Sequence, residues 1–174
     1  LLVILNSKSQ PGQSNNDKLN LTDLGRKIEN SISFNTSYSN YEKIKDTIGK
    51  KISVKATSLI INGNALEPEE INTRGQSSLY YRRKSFSFSL KSEAPFRHGE
   101  RTESFKKFYL LSLSMDKNYC SNRLAFEMME ASRLFHLFYS FCDLRINGKS
   151  EGICMVVELP EDWAMKMKNS PLLI

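Results

Sequence analysis

The chain predicts an α+β fold, a mostly antiparallel sheet with one packed helix, and three patterns carry that expectation. From Lys84 onward Phe86, Phe88 and Leu90 alternate with Ser85, Ser87 and Ser89, the two-residue period of a strand with one buried face. Asn62-Gly63 and Asn147-Gly148 each follow an apolar run and suit tight hairpin turns. Between about Asn118 and Phe138, Leu124, Met128, Ala131, Phe135 and Phe138 recur at three- and four-residue intervals, which predicts a helix with that side against the core.

In order, Leu1 to Leu5 is a short apolar run that fits a strand or the remnant of a signal sequence. Asn6 to Asn20 is rich in Ser, Asn, Gln and Gly and reads as a loop. Leu21, Leu24, Ile28 and Ile32 fit a short amphipathic helix or a polar connector, and Phe34 to Tyr41 reads as irregular. Ile52, Val54, Ala56 and Ser58 alternate into the first Asn-Gly turn, with a return to Leu66. A strand resumes at Ile71 and carries Arg74, while charged Lys91 to Lys107, with Pro95 and Gly99, reads as a surface loop anchored by Phe96 and Phe105. Phe108 to Leu113 fits a buried strand and Asp143 to Leu159 a hairpin ending abruptly at Glu158. Pro160, Glu161 and Asp162 favour the first turn of a further helix.

With 174 residues the chain has room for one ordinary domain. No apolar run is long enough to cross a bilayer. A net charge of +6 favours an acidic partner: nucleotide, nucleic acid, acidic protein or lipid surface. Its cations sit in small groups with acids between them, so a solvated surface explains most of the excess. Cys120, Cys142 and Cys154 lack Cys-x-x-Cys spacing, and His98 and His136 do not complete a set, so zinc is not expected. The absent initiator methionine and the apolar end Pro171 to Ile174 fit a piece of a longer protein.

The densest polar chemistry precedes the alternating strand. Thr73-Arg74-Gly75-Gln76-Ser77-Ser78 offers a guanidinium fork, a flexible glycine, an amide and hydroxyls, groups that suit a phosphate. Lys84 shares the parity of the phenylalanines, so its ammonium projects from the apolar face. There it must snorkel past the sheet end, pair with a carboxylate or meet an anion in a cleft. A solvated basic patch shared with Arg82 and Arg83 is the plainer alternative.

Three ordered segments resemble the spore-coat protein H (CotH) kinase family. Arg74-Gly75-Gln76-Ser77-Ser78 and Arg83-Lys84-Ser85-Phe86 resemble its Arg-Gly-Asn-Ser-Ser element and Lys-Lys-Ser-Tyr strand. Leu110-Leu111-Ser112 to Asp116, then Asn122-Arg123-Leu124-Ala125, resemble its Asp-containing turn and following helix. Asn147-Gly148 to Gly152, with Glu158, resembles its Asn-Gly-x-Tyr-x-Gly hairpin and terminal glutamate. The resemblance implies an atypical protein-kinase-like fold that binds ATP with a divalent metal such as Mg and phosphorylates protein hydroxyls on acidic or Ser-rich substrates.

In that scheme residues 51–159 form the nucleotide-covering small lobe, 1–50 an N-terminal polar segment with room for a short helix, and 160–174 the start of a truncated second lobe. The resemblance implies that Lys84 holds ATP phosphates, that Arg74, Ser77 and Ser78 line the phosphate side, and that Glu158 lies near the adenine. Ser121 stands where the family has arginine, and Ser150 and Cys154 where it has tyrosine. No catalytic base or metal ligand is assignable in this segment. The alternative is a catalytically inactive secreted or surface binding module of the same fold. Family membership would place the protein outside the cell or on a cell or spore surface. Nucleic-acid binding rests only on Arg82 to Lys84 beside tyrosines and is not expected.

Overall fold

The computed structural model describes residues 28–116, 118–132 and 137–168. It is an α+β arrangement of eight strands, β1 (Asn30–Thr36), β2 (Ala56–Ile61), β3 (Asn64–Ala65), β4 (Pro68–Arg74), β5 (Ser85–His98), β6 (Arg101–Leu111), β7 (Tyr139–Ile146) and β8 (Lys149–Glu158). The helices are α1 (Tyr38–Asp46), α2 (Ser121–Ala131) and α3 (Pro160–Lys168), with a 3-10 turn at Ser77–Tyr80. All eight strands join one sheet in the order β3-β2-β1-β7-β8-β6-β5-β4. Every neighbouring pair is antiparallel except β1 with β7. Among the described residues no helix is long and apolar enough to cross a membrane.

Both Asn-Gly turns form as read. Asn62 and Gly63, and again Asn147 and Gly148, all have positive φ, the paired left-handed conformation that a two-residue hairpin needs. The asparagines do a second job. Asn62 Oδ1 accepts the Ser31 N–H at 2.8 Å and Asn147 Oδ1 accepts that of Thr36 at 2.8 Å, so each turn is tied to β1.

The sheet has two covered faces. On one, Phe34, Phe86, Phe88, Phe96, Phe108, Cys142, Cys154 and Val156 share a core with Ile44 of α1 and Val54. Phe88 and Phe108 stack there at 4.9 Å between ring centres. On the other, Tyr139, Met155 and Val157 pack with Tyr109, Leu111, Tyr119 and Phe126 of α2. These are called the α1 face and the α2 face below.

Four expectations are corrected. Asn30–Thr36, read as helix and irregular chain, is an inner strand; Asn30 is buried, its side chain donating to Arg97 O at 2.8 Å and to Ser140 Oγ at 2.7 Å. The sheet therefore runs upstream of the boundary expected at residue 51. The rest of that expected helix, with the loop and apolar run before it, lies outside the described residues. Second, Lys91 to Lys107 is no loop: β5 and β6 form one long hairpin about Gly99, with Phe96 and Phe105 buried in the core. Third, Ile52 and Val54 precede β2 and instead lie along the outer edge of β4, where Val54 N donates to Ile71 O at 2.7 Å and Thr73 N to Ile52 O at 2.9 Å.

Fourth, the described residues contain three α-helices, of which α1 lies outside the expected ones, and the face expected to be buried in α2 is not. Leu124 is 57% and Met128 60% exposed, whereas Phe126 stacks on Tyr139 at 4.9 Å. Phe138 is buried but belongs to the approach to β7. Phe135 lies outside the described residues. The helix at Pro160 forms, with Glu161 and Asp162 in its first turn.

Candidate functional site

Arg74 ends β4, and two features after it are legible in atomic detail. Gly75 has φ of +97°, a backbone that L side chains rarely adopt, and a Cβ built there would lie 2.1 Å from Ser78 Oγ. The chain can then fold into the 3-10 turn, where Ser78 Oγ donates to Arg74 O at 2.8 Å. This bond closes the Arg74 to Ser78 segment on itself.

The Arg74 side chain lies on the α2 face. Its guanidinium carbon sits over the Tyr109 ring, 3.4 Å from its centre, a close cation–π contact. Burial lowers the Arg74 pKa from its ordinary value, while Tyr109 and then Glu161 pull the other way; the group stays charged. It makes no ion pair among the described residues. A half-buried cation on an aromatic shelf is thus left with donor capacity to spend.

Arg74 lines a hollow of about 170 Å³ with Gly75, Ser78, Ser85, Ser112, Ser114, Asp116 and Asn122. Three of these hydroxyls form a chain. Ser85 Oγ accepts the Ser112 N–H at 3.0 Å, Ser112 Oγ is 2.9 Å from Ser114 Oγ, and Ser114 Oγ donates to Arg83 O at 2.9 Å. Leu113, between the last two serines, has φ of +56°. A leucine in that region is strained by order of 1 kcal/mol, and the turn it allows places Ser112 and Ser114 in the same wall.

Asp116 closes the far side. Its Oδ2 accepts the Asn122 N–H at 3.0 Å and Asn122 Nδ2 at 3.2 Å, so it caps α2 from outside the helix where Cys120 makes no side-chain cap bond. The Asn122 N–H is the main influence holding Asp116 below the usual carboxylate range; burial opposes it. Asp116 is a single carboxylate, and the described residues hold no group of three or more His, Cys, Asp or Glu side chains.

The five residues proposed from sequence do not converge. Arg74 and Ser78 share the hollow, and Ser77 is exposed on the outer side of the same turn, beside a second hollow with Gly49, Lys51, Gly75 and Tyr80. Lys84 keeps the parity of Phe86 and is 3% exposed, on the α1 face. Its Nζ donates to Leu79 O at 2.6 Å, and burial, then the charge of Lys45, lowers its pKa. Glu158 is buried on that same face, its Oε2 accepting the Phe138 N–H at 3.2 Å and its Oε1 accepting from Lys166 Nζ at 2.7 Å. Four residues along β5 and two strand spacings separate it from Lys84, about 16 Å.

Sequence reading missed Tyr109, Ser85, Ser112 and Ser114 as site residues, and missed Arg83. Arg83 reaches Tyr119 OH at 2.9 Å and Cys154 Sγ at 3.8 Å, and its buried Nε has no hydrogen-bond partner among the described residues. A hairpin register would have exposed the first two: Arg74 pairs with Ser85, and Tyr109 with Ser87, so all three project from one face.

The CotH kinase protein family matches residues 71–171, more than half of the chain, and covers every wall of this hollow. The chain belongs to the CotH kinase family. No curated protein matches it.

Proposed function

We propose that this member of the CotH kinase family is the phosphate-holding, kinase-like small lobe of an ATP-dependent phosphotransferase acting on protein hydroxyls. One observation carries the assignment: Arg74, desolvated, stacked on Tyr109 and without an ion pair among the described residues, borders a hollow in which Ser78, Ser85, Ser112 and Ser114 share the wall with Leu111, Leu113 and Met115. A guanidinium fork and nearby hydroxyls complement phosphate oxygens, and Gly75 lets backbone approach closely. ATP would supply the transferable phosphoryl group; Arg74, Gly75 and Ser78 are the residues that would hold its phosphates. Magnesium would enter with the nucleotide, with ligands beyond those described here. Lys84, closed on Leu79 O on the opposite face, is assigned to the support of the 3-10 turn instead.

The test is calorimetric titration of the chain with ATP, ADP and adenosine in magnesium buffer, for wild type, Arg74→Ala and Lys84→Met. Loss of two charge-assisted hydrogen bonds, about 2–4 kcal/mol, weakens ATP binding by Arg74→Ala roughly 30-fold or more, with adenosine unaffected. Lys84→Met stays within threefold of wild type. Equal ATP affinity for Arg74→Ala and wild type overturns the assignment, and selective loss in Lys84→Met returns the phosphates to the α1 face.

A further inference from the structure

Cys142 and Cys154 are both free, and both are fully buried in the α1-face core. They are direct register partners across the β7–β8 hairpin. Side chains at one register position of an antiparallel pair leave the sheet on the same side, so the two thiols face each other rather than straddling the sheet. Glu158 N donates to Phe138 O, and counting in twos along the ladder makes Cys142 and Cys154 a hydrogen-bonded pair. Such a pair has Cα atoms about 5.5 Å apart, inside the range of about 4.4–6.8 Å that a disulfide spans, and Cβ atoms near the wide end of about 4.5–5.5 Å, so closing the bond draws the two Cβ atoms together by about 1 Å. Cys120 is exposed near the start of α2, outside this hairpin.

We propose that Cys142 and Cys154 are a disulfide site, a cross-strand bond that staples β7 to β8 when the chain folds under oxidising conditions. The chemistry balances through thiol–disulfide exchange. One thiolate attacks a small-molecule disulfide such as oxidised glutathione, expelling one thiol and leaving a mixed disulfide. The second thiolate then attacks that sulfur and expels the other thiol, so the pair loses two electrons and two protons while the oxidant gains them.

The order of events follows from burial and from contact range. Once the sheet is closed, burial pushes the Cys154 thiol up to about 11 and that of Cys142 well above its ordinary value, so attack from the native state is suppressed. Arg83 Nη2, 3.8 Å from Cys154 Sγ, is the cation beside the pair. The hairpin itself is local, closed by Asn147-Gly148, and local hairpins form in microseconds. Exchange therefore belongs to the folding chain, before β1 and β6 flank the hairpin, and the same burial afterwards shields the bond from reductant. This inference is independent of the nucleotide-site assignment.

The experiment is refolding in a glutathione buffer, then unfolding and alkylation without reduction, with peptide mapping. The expected result is a linked Cys142–Cys154 peptide, an alkylated Cys120, an intact mass about 2 Da below the reduced protein, and a Tm higher by roughly 5–10 °C. Cys142→Ala must free Cys154 for alkylation, while Cys120→Ala must leave the link intact. Mapping needs no variant, so a variant that fails to fold does not blur the outcome. Alkylation of all three thiols after oxidative refolding, or linkage through Cys120, overturns the proposal.

Discussion

Gly75→Ala is the sharpest probe of the phosphate-side segment, because two separable costs can be read from the backbone. The first is conformational: a φ of +97° lies beyond even the left-handed pocket that alanine tolerates, at about 1–3 kcal/mol. The second is contact: the new methyl would sit 2.1 Å from Ser78 Oγ, forcing that hydroxyl to rotate away from Arg74 O. Loss of that hydrogen bond adds about 1 kcal/mol. Together they give about 2–4 kcal/mol, or a fall in Tm of roughly 5–15 °C for a domain of this size.

A double-mutant cycle with Ser78→Ala separates the two terms. Ser78→Ala alone loses the hydrogen bond, about 1 kcal/mol. In the double variant that bond is already gone and the obstructing oxygen with it, so the double loses no more than Gly75→Ala, and the two changes are non-additive by about 1 kcal/mol. Urea unfolding followed by fluorescence measures all four corners, given the tryptophan at position 163 and seven tyrosines. A Gly75→Ala chain within 0.5 kcal/mol of wild type would show that the turn re-forms with ordinary φ, and strict additivity would clear Ser78 of blocking the methyl.

Three further outcomes follow from the same geometry. Lys84 binds its proton less tightly when folded, so the unfolded chain holds more protons in that window and stability rises with pH, from the lowered pKa up to the ordinary value near about 10.4; Lys84→Met, which leaves Leu79 O the Gly49 N–H as partner, flattens that rise in pH-dependent urea unfolding. Lys166 has the opposite sign: although burial works against its charge, Glu158 and Glu103 raise its pKa, so its contribution is complete below about pH 10 and is lost as pH climbs through the raised value. Lys166→Met removes this alkaline loss and destabilises the neutral protein, because among the described residues Glu158 then stays buried with the Phe138 N–H as its one side-chain partner. Leu124→Ser and Met128→Ser, on the exposed side of α2, change stability by no more than about 0.5 kcal/mol; a loss of 2 kcal/mol or more would mean that this side of the helix faces the core after all.

What the sequence disclosed was local period, and what it withheld was layering. The β5 alternation, both Asn-Gly hairpins and the Pro160 helix need only neighbouring residues for their logic, and each forms. β1 was hidden because Asn30, Ser31, Ser33 and Asn35 are poor strand formers; its pairing with β2 and β7 and the satisfied burial of Asn30 override that preference. The β5–β6 hairpin was hidden by outward charges and by Pro95, whose carbonyl instead accepts from Asn62 Nδ2 at 2.7 Å. The α2 face was misread because spacing marks an apolar stripe without saying whether a layer covers it.

Arg82, Arg83 and Lys84 show the same limit at the scale of the site. In sequence they are one basic cluster, yet Arg82 is exposed beside Asp46, Arg83 runs to Tyr119 and Cys154, and Lys84 is sealed behind the 3-10 turn. Alternation correctly sent Lys84 to the apolar face, but that face is roofed by α1 and filled with phenylalanine. The serines of the same strand look outward by composition, and one of them, Ser85, borders the open hollow with Arg74. A polar face in a sheet covered on both sides is therefore not a solvent face. Here Ser85 shares its hollow with the Arg74 guanidinium on one side and, on the other, the Asp116 carboxylate that caps α2.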